Sequence, residues 1–143
     1  MSVQLRVQRT LAASPARVWQ ALTDPVALCG WFWPHASFGT TARVDLRTGG
    51  EFRIGAPKVD IGVSGRYVDV EPPHRLVMTW RWDGEEAETL VTISLVPSGE
   101  GTELTLVHSR FPEEARRDQN AQGWSDCLDR LPAWLAAACT TAI

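Results

Sequence analysis

The chain lacks most of the features that would place it in a membrane, on a nucleic acid or outside the cell. No apolar run approaches membrane-spanning length, so membrane insertion is excluded by pattern. The N-terminal MSVQLRVQRTL alternates like a strand, without the charged and apolar regions of a signal peptide. Cysteine is scarce. Cys29, Cys127 and Cys139 make an odd count with no CxxC spacing, which argues against a disulfide framework or a zinc site and for free thiols in a reducing, cytoplasmic setting. The net charge of -3, with no element carrying a run of Lys or Arg, gives no pull toward nucleic acid or an anionic bilayer. There is no glycine loop of the phosphate-cradling kind, no defensible carboxylate pair and no Ser/His/Asp pattern. His35 and His74 sit in proline-bounded turns far from His108, so no metal site is expected and no cofactor is implied. Repeats, linkers and low-complexity stretches are missing too, and 143 residues are read as one domain, 1–143.

What the chain has in excess is tryptophan: Trp19, Trp31, Trp33, Trp80, Trp82, Trp124 and Trp134. An indole needs a partner for its N–H when buried, which makes it an expensive core filler but a good wall for a planar or amphipathic guest. Such a composition suits a cavity.

The element pattern starts with a strand near Val3 to Thr10. Ser14-Pro15 then supplies an N-cap and a first helical residue, and Asp24-Pro25 restarts a second short helix that ends near Gly30. From Ala42 the hydrophobic period becomes two, with strands near 42–46, 51–54, 62–70, 75–82, 89–96 and 102–110, separated by Gly- and Pro-rich turns. The last segment, about Glu113 to Ala138, returns to helical spacing through Ala121, Trp124, Leu128, Leu131, Leu135 and Ala138. Pro132 interrupts it and predicts a kink or break near Asp129 to Leu131. The sum is an α+β fold in which a curved antiparallel sheet of six to seven strands wraps a long C-terminal helix, with two short helices after the first strand. Pockets in such folds lie between helix and sheet.

The stretches SPARVWQALTDP, GWFWP, RTGGEF, GRYVDVEPP, RLVMTW, GTELTLVH and QGW, in that order over nearly the whole chain, resemble the SRPBCC (START-like, helix-grip) superfamily. Within it they are most similar to the branch of the heat-shock-protein ATPase activator homologues (Aha-type). The resemblance implies a helix-grip fold with a deep apolar cavity. Relatives in the superfamily include lipid and hormone carriers, polyketide aromatase/cyclases and a co-chaperone domain, so a shared fold carries no shared reaction. Pro132 and the Trp82 extension of the strand that usually ends in Thr-Trp depart from the family pattern.

Leu76, Met78, Trp80 and Trp82 share one strand face and are either a ligand wall or a Trp-rich core. His108 follows Leu104 and Leu106 at spacing two, so its ring faces inward, as a polar handle for a ligand, a general base, or a histidine tied to an indole or carbonyl. Trp124, Leu128 and Leu131 continue the wall on the last helix, where Gly123 either lets the helix pack close against the sheet, the favoured reading, or leaves room for a guest. Trp31 and Trp33 lie in a loop at the cavity mouth, as a lid, or with one plugging the core and the other on the surface. These residues support binding of a small, largely hydrophobic molecule, aromatic or lipid-like. The alternatives are a cyclase, dehydratase or hydrolase using His108 as acid/base, and a co-chaperone-like module acting on a heat-shock-protein ATPase. The absence of the extra N-terminal domain of such co-chaperones weighs against the last. A homodimer is left open.

Overall fold

The computed structural model describes residues 3–141, and side chains through residue 137, so Cys139 and the helix face at Ala138 lie outside the described side chains. Seven strands form one antiparallel sheet: β1 (Val3–Leu11), β2 (Thr41–Val44), β3 (Glu51–Ala56), β4 (Ile61–Glu71), β5 (Arg75–Trp82), β6 (Thr89–Ser98) and β7 (Gly101–Phe111). Their order across the sheet is β1-β7-β6-β5-β4-β3-β2. From β2 to β7 the chain is a meander, which follows from turn chemistry between alternating apolar strands. β1 closes onto β7, and the two edges of the sheet are joined by the helical connection α1 (Pro15–Thr23) and α2 (Pro25–Trp31).

Both short helices start as their sequence dictates. Ser14 Oγ accepts from Arg17 N at 3.3 Å, and Asp24 Oδ1 accepts from Val26 N at 2.9 Å, each just before a proline at the first helical position. Asp24 also closes α1 through its own N–H to the Gln20 carbonyl, so one residue ends one helix and opens the next.

The core lies on the inner face of the sheet. In β7, Leu104, Leu106 and His108 alternate inward and are fully buried; burying each leucine contributes roughly 1.5–3 kcal/mol. In β4 a register shift between Tyr67 and Asp69 interrupts the pairing with β5, and Val68 there faces out. Gly65 is required on the same strand: a Cβ would lie 2.0 Å from the Thr79 carbonyl oxygen of β5.

The C-terminal helix comes in two pieces, α3 (Glu114–Leu128) and α4 (Leu131–Thr141), which break where Pro132 predicts. α3 is tied to β1 by Arg9, whose guanidinium donates to Ser125 Oγ at 3.1 Å. The helices packed over the inner face of the sheet leave a hollow between α3, β5 and the segment after α2.

Candidate functional site

The walls of this hollow are aromatic because three separate elements contribute rings at their inward positions. β5 brings Trp80 and Trp82, α3 brings Trp124, and the segment after α2 brings Phe32, Trp33 and Phe38. The rings follow one another closely. Centroids are 5.0 Å apart for Trp80–Trp124, 6.3 Å for Trp80–Trp82, 5.8 Å for Trp33–Trp82 and 4.9 Å for Phe32–Trp33. They enclose a cavity of about 320 Å³, at the low end of the roughly 300–1,000 Å³ usual for small-molecule sites. Polar groups gather on one side of it. Arg116, Gln119 and Asn120 come from α3, and Glu85, which pairs with Arg116, from the turn after β5.

Behind the outer cavity lies a second, much smaller void of about 20 Å³, lined by apolar side chains that include Met78, Leu106 and Leu128. Phe32, Trp80 and Trp124 line both hollows and so form the partition between them.

Hydrogen bonds hold three of the four cavity indoles in place. Trp33 Nε1 donates to the Gly55 carbonyl at 3.1 Å, Trp82 Nε1 to Asn120 Oδ1 at 3.1 Å, and Trp124 Nε1 to His108 Nδ1 at 3.0 Å. Because an indole can only donate, His108 Nδ1 accepts and the ring proton sits on Nε2. That proton is donated to Thr89 Oγ1 at 2.6 Å, and Thr89 in turn donates to the Trp80 carbonyl at 2.9 Å. The result is a closed relay from α3 through β7 and β6 to β5. Burial, with no anion beside it, lowers the His108 pKa from 6.5 to about 3.

Trp33 has φ +75°, a left-handed conformation rare for a bulky residue and costly by roughly 1–3 kcal/mol. It is held by two hydrogen bonds besides that of its indole. Its N–H donates to Cys127 Sγ at 3.3 Å, and its carbonyl accepts from Arg130 Nη1 at 2.8 Å, which also reaches the Phe32 carbonyl at 3.2 Å. Arg130 stands in the break between α3 and α4, so the interruption at Pro132 supplies the clamp on the aromatic segment.

The structure therefore brings together Trp33, Trp80, Trp82 and Trp124 around the outer cavity and sets the other expected site residues elsewhere. Met78, Leu106 and Leu128 line the inner void. Leu131 is fully buried core and lines neither hollow. Trp31 is not in a loop: it is the last residue of α2, 1 % exposed, and donates to the Ala21 carbonyl at 2.8 Å. Trp33, the ring expected on the surface if Trp31 plugs the core, is 4 % exposed. His108 is 0 % exposed and stands behind Trp124 rather than in the cavity, with both nitrogens engaged, because the Trp124 indole lies between it and the hollow. For Gly123 it is the close-packing reading that fails. A Cβ there would meet nothing within 4 Å, since the residue faces the cavity and not the sheet.

Sequence reading missed Arg116 and Asn120, which share a helix stripe with Gly123 and with Cys127 one turn further on. The signal was present: these positions recur at threes and fours on the face that carries Trp124, but a search for apolar periodicity passes over them. Phe38 comes from a short connecting segment where no periodicity exists, and Ile61 is the first residue of β4. Among the described residues no three side chains of ligand type converge as a metal site would need, and no helix is long and apolar enough to cross a membrane.

An antiparallel sheet closed over by a C-terminal helix, with an aromatic hollow between them, defines an α+β helix-grip domain. A family model described as Activator of Hsp90 ATPase homolog 1-like protein matches residues 12–136, and the chain belongs to that family. Among solved structures it is similar to a protein from Rhodobacter sphaeroides, with 32% identity and a TM-score of 0.79 over 94% of this chain and 93% of that one. It is also similar to CalU16 from Micromonospora echinospora, with 27% identity and a TM-score of 0.71 over 98% and 79% of the two chains. A third similar structure is an HSP90 activator from Plasmodium falciparum, with 25% identity and a TM-score of 0.63 over 76% and 74%. No curated protein matches the chain.

Proposed function

We propose that this domain binds a small, flat, largely apolar molecule in the cavity between α3 and β5. The observation that carries the reading is Gly123. A helix-interior glycine costs about 1 kcal/mol relative to alanine, and here no close contact requires it, so the space it leaves belongs to the cavity. The walls are rings whose faces suit stacking, and hydrogen bonds fix the orientations of Trp33, Trp82 and Trp124 before any guest arrives. Acid/base chemistry at His108 has no support from this geometry, because its basic nitrogen already accepts from Trp124 and the residue does not line the cavity. Native mass spectrometry of the purified protein, with denaturing extraction of whatever accompanies it, is expected to find a small aromatic or apolar compound. Gly123→Leu should fill the cavity from its helix wall, keep or raise the thermal midpoint, and abolish that extra mass. A Gly123→Leu protein that folds and still carries the same compound would refute the reading.

A second reading, contact with a chaperone ATPase, is favoured by the outer face of the sheet. Arg43, Arg53 and Arg81 stand in one row across β2, β3 and β5, with Ser64 of β4 between the last two, beside a groove of about 1010 Å³. Arg53 is spent on Asp83 through bonds of 2.8 and 2.6 Å, while Arg43 and Arg81 are in no ion pair among the described residues. If this face meets a chaperone, the protein stimulates Hsp90 ATP hydrolysis and Arg43→Glu/Arg81→Glu abolishes the stimulation. Unchanged hydrolysis on adding the wild-type protein removes this reading and leaves the cavity untouched.

A further inference from the structure

The cavity wall contains one buried side-chain donor that the protein itself leaves unused. Of the four indoles around the cavity, those of Trp33, Trp82 and Trp124 donate to a carbonyl, an amide oxygen and an imidazole nitrogen. The fourth, Trp80 Nε1, is buried and has no partner, and it is the one such side-chain atom among the described residues. Buried N–H groups are almost always satisfied, so a single exception in a binding wall asks for a reason. Nothing in the ring's surroundings supplies an acceptor. Its neighbours are Phe32, Phe52, Trp82, Trp124 and His108, and both nitrogens of His108 are already taken. Of the other polar groups of the cavity, Asn120 accepts from Trp82 and donates to the Arg116 carbonyl, Arg116 pairs with Glu85, and Gln119 is exposed to water. Trp80 lines both the outer cavity and the inner void, so its ring is part of what the inner end of a guest meets.

We infer that the guest of this cavity is a planar aromatic molecule carrying a hydrogen-bond acceptor, a ketone or quinone oxygen, at its buried end, and that Trp80 Nε1–H is the group that recognises it. The inference rests on the proposed binding function and narrows it to a ligand class. An aromatic hydrocarbon of the same shape would fill the walls equally well but leave the donor unpaired, whereas the carbonyl compound satisfies it. Discrimination between the two therefore falls on one N–H.

The test uses 9-fluorenone and fluorene, which share a tricyclic outline and differ by a carbonyl in place of a methylene, titrated by isothermal calorimetry into the wild type and into Trp80→Phe. Phenylalanine keeps an aromatic ring at the wall and removes the donor. The wild type is expected to bind fluorenone about fivefold more tightly than fluorene, the ratio that one net hydrogen bond provides, and Trp80→Phe should bring the ratio to unity while still binding fluorene. Equal affinities in the wild type, or a preference that survives in Trp80→Phe, overturn the role of Trp80 and leave the cavity reading standing. Binding of neither compound to the wild type overturns both. The wild-type ratio decides the inference even if the variant does not fold.

Discussion

A histidine sealed from water and enclosed by neutral partners resists protonation, and at position 108 this has a measurable price in acid. The unfolded chain takes up a proton near pH 6.5, the folded one only near about 3. Below 6.5 the unfolded state thus binds the extra proton and gains on the native state. The contribution of neutral His108 is complete above that pH and is lost progressively down to about 3, at about 1.4 kcal/mol per pH unit. His108→Gln should lower stability at pH 7.5 by about 1–3 kcal/mol, because Trp124 and Thr89 lose a well-placed partner. Between pH 6.5 and 4.5 its melting temperature should fall less steeply than that of the wild type. Parallel slopes for the two proteins would show that the imidazole is not neutral in the folded state. At this scale the sequence is only partly readable. Period two in β7 is enough to turn His108 inward, but which of its readings applies depends on Trp124, sixteen residues away on another element. The openness around Gly123 is likewise decided by what the opposite wall leaves empty, which no local pattern encodes.

The elements themselves are far more legible, for a physical reason: strands, caps and breaks are set by residues within a few positions of one another. Ser14-Pro15, Asp24-Pro25 and Pro132 each do locally what their chemistry requires. The assignment of Trp31 to a loop failed because α2 runs one residue past Gly30, a boundary that tertiary packing decides: the Trp31 indole reaches the Ala21 carbonyl of α1. The break between α3 and α4 has a consequence at the same scale. It presents Arg130 to the Phe32 and Trp33 carbonyls and so maintains the left-handed turn at Trp33. Arg130→Ala should therefore destabilise the protein by about 1.5–3 kcal/mol, as expected for hydrogen bonds from a charged donor. It should also speed hydrogen exchange selectively at the Trp33 amide, with Arg130→Lys restoring part of the protection. Unchanged exchange at Trp33 in the alanine variant would show that Cys127 and the indole bond hold the turn without it.

Across the whole molecule, the closed relay from Trp124 through His108 and Thr89 to the Trp80 backbone joins the helix to three adjacent strands. The cavity is thus framed by elements whose spacing cannot change independently. The segment from Phe32 to Phe38 adds Phe32, Trp33, Pro34 and Phe38 to the lining and is the part of the wall with no strand or long helix of its own.

The spacing of the indoles has an optical meaning as well. Trp33, Trp82, Trp80 and Trp124 form a continuous chain with steps of 5.8, 6.3 and 5.0 Å. At such separations an excited ring passes its energy to the next well before it emits. Four of the seven tryptophans therefore glow as one chromophore, and a molecule that quenches any of them darkens the set. The protein carries a built-in lamp aimed at its own cavity.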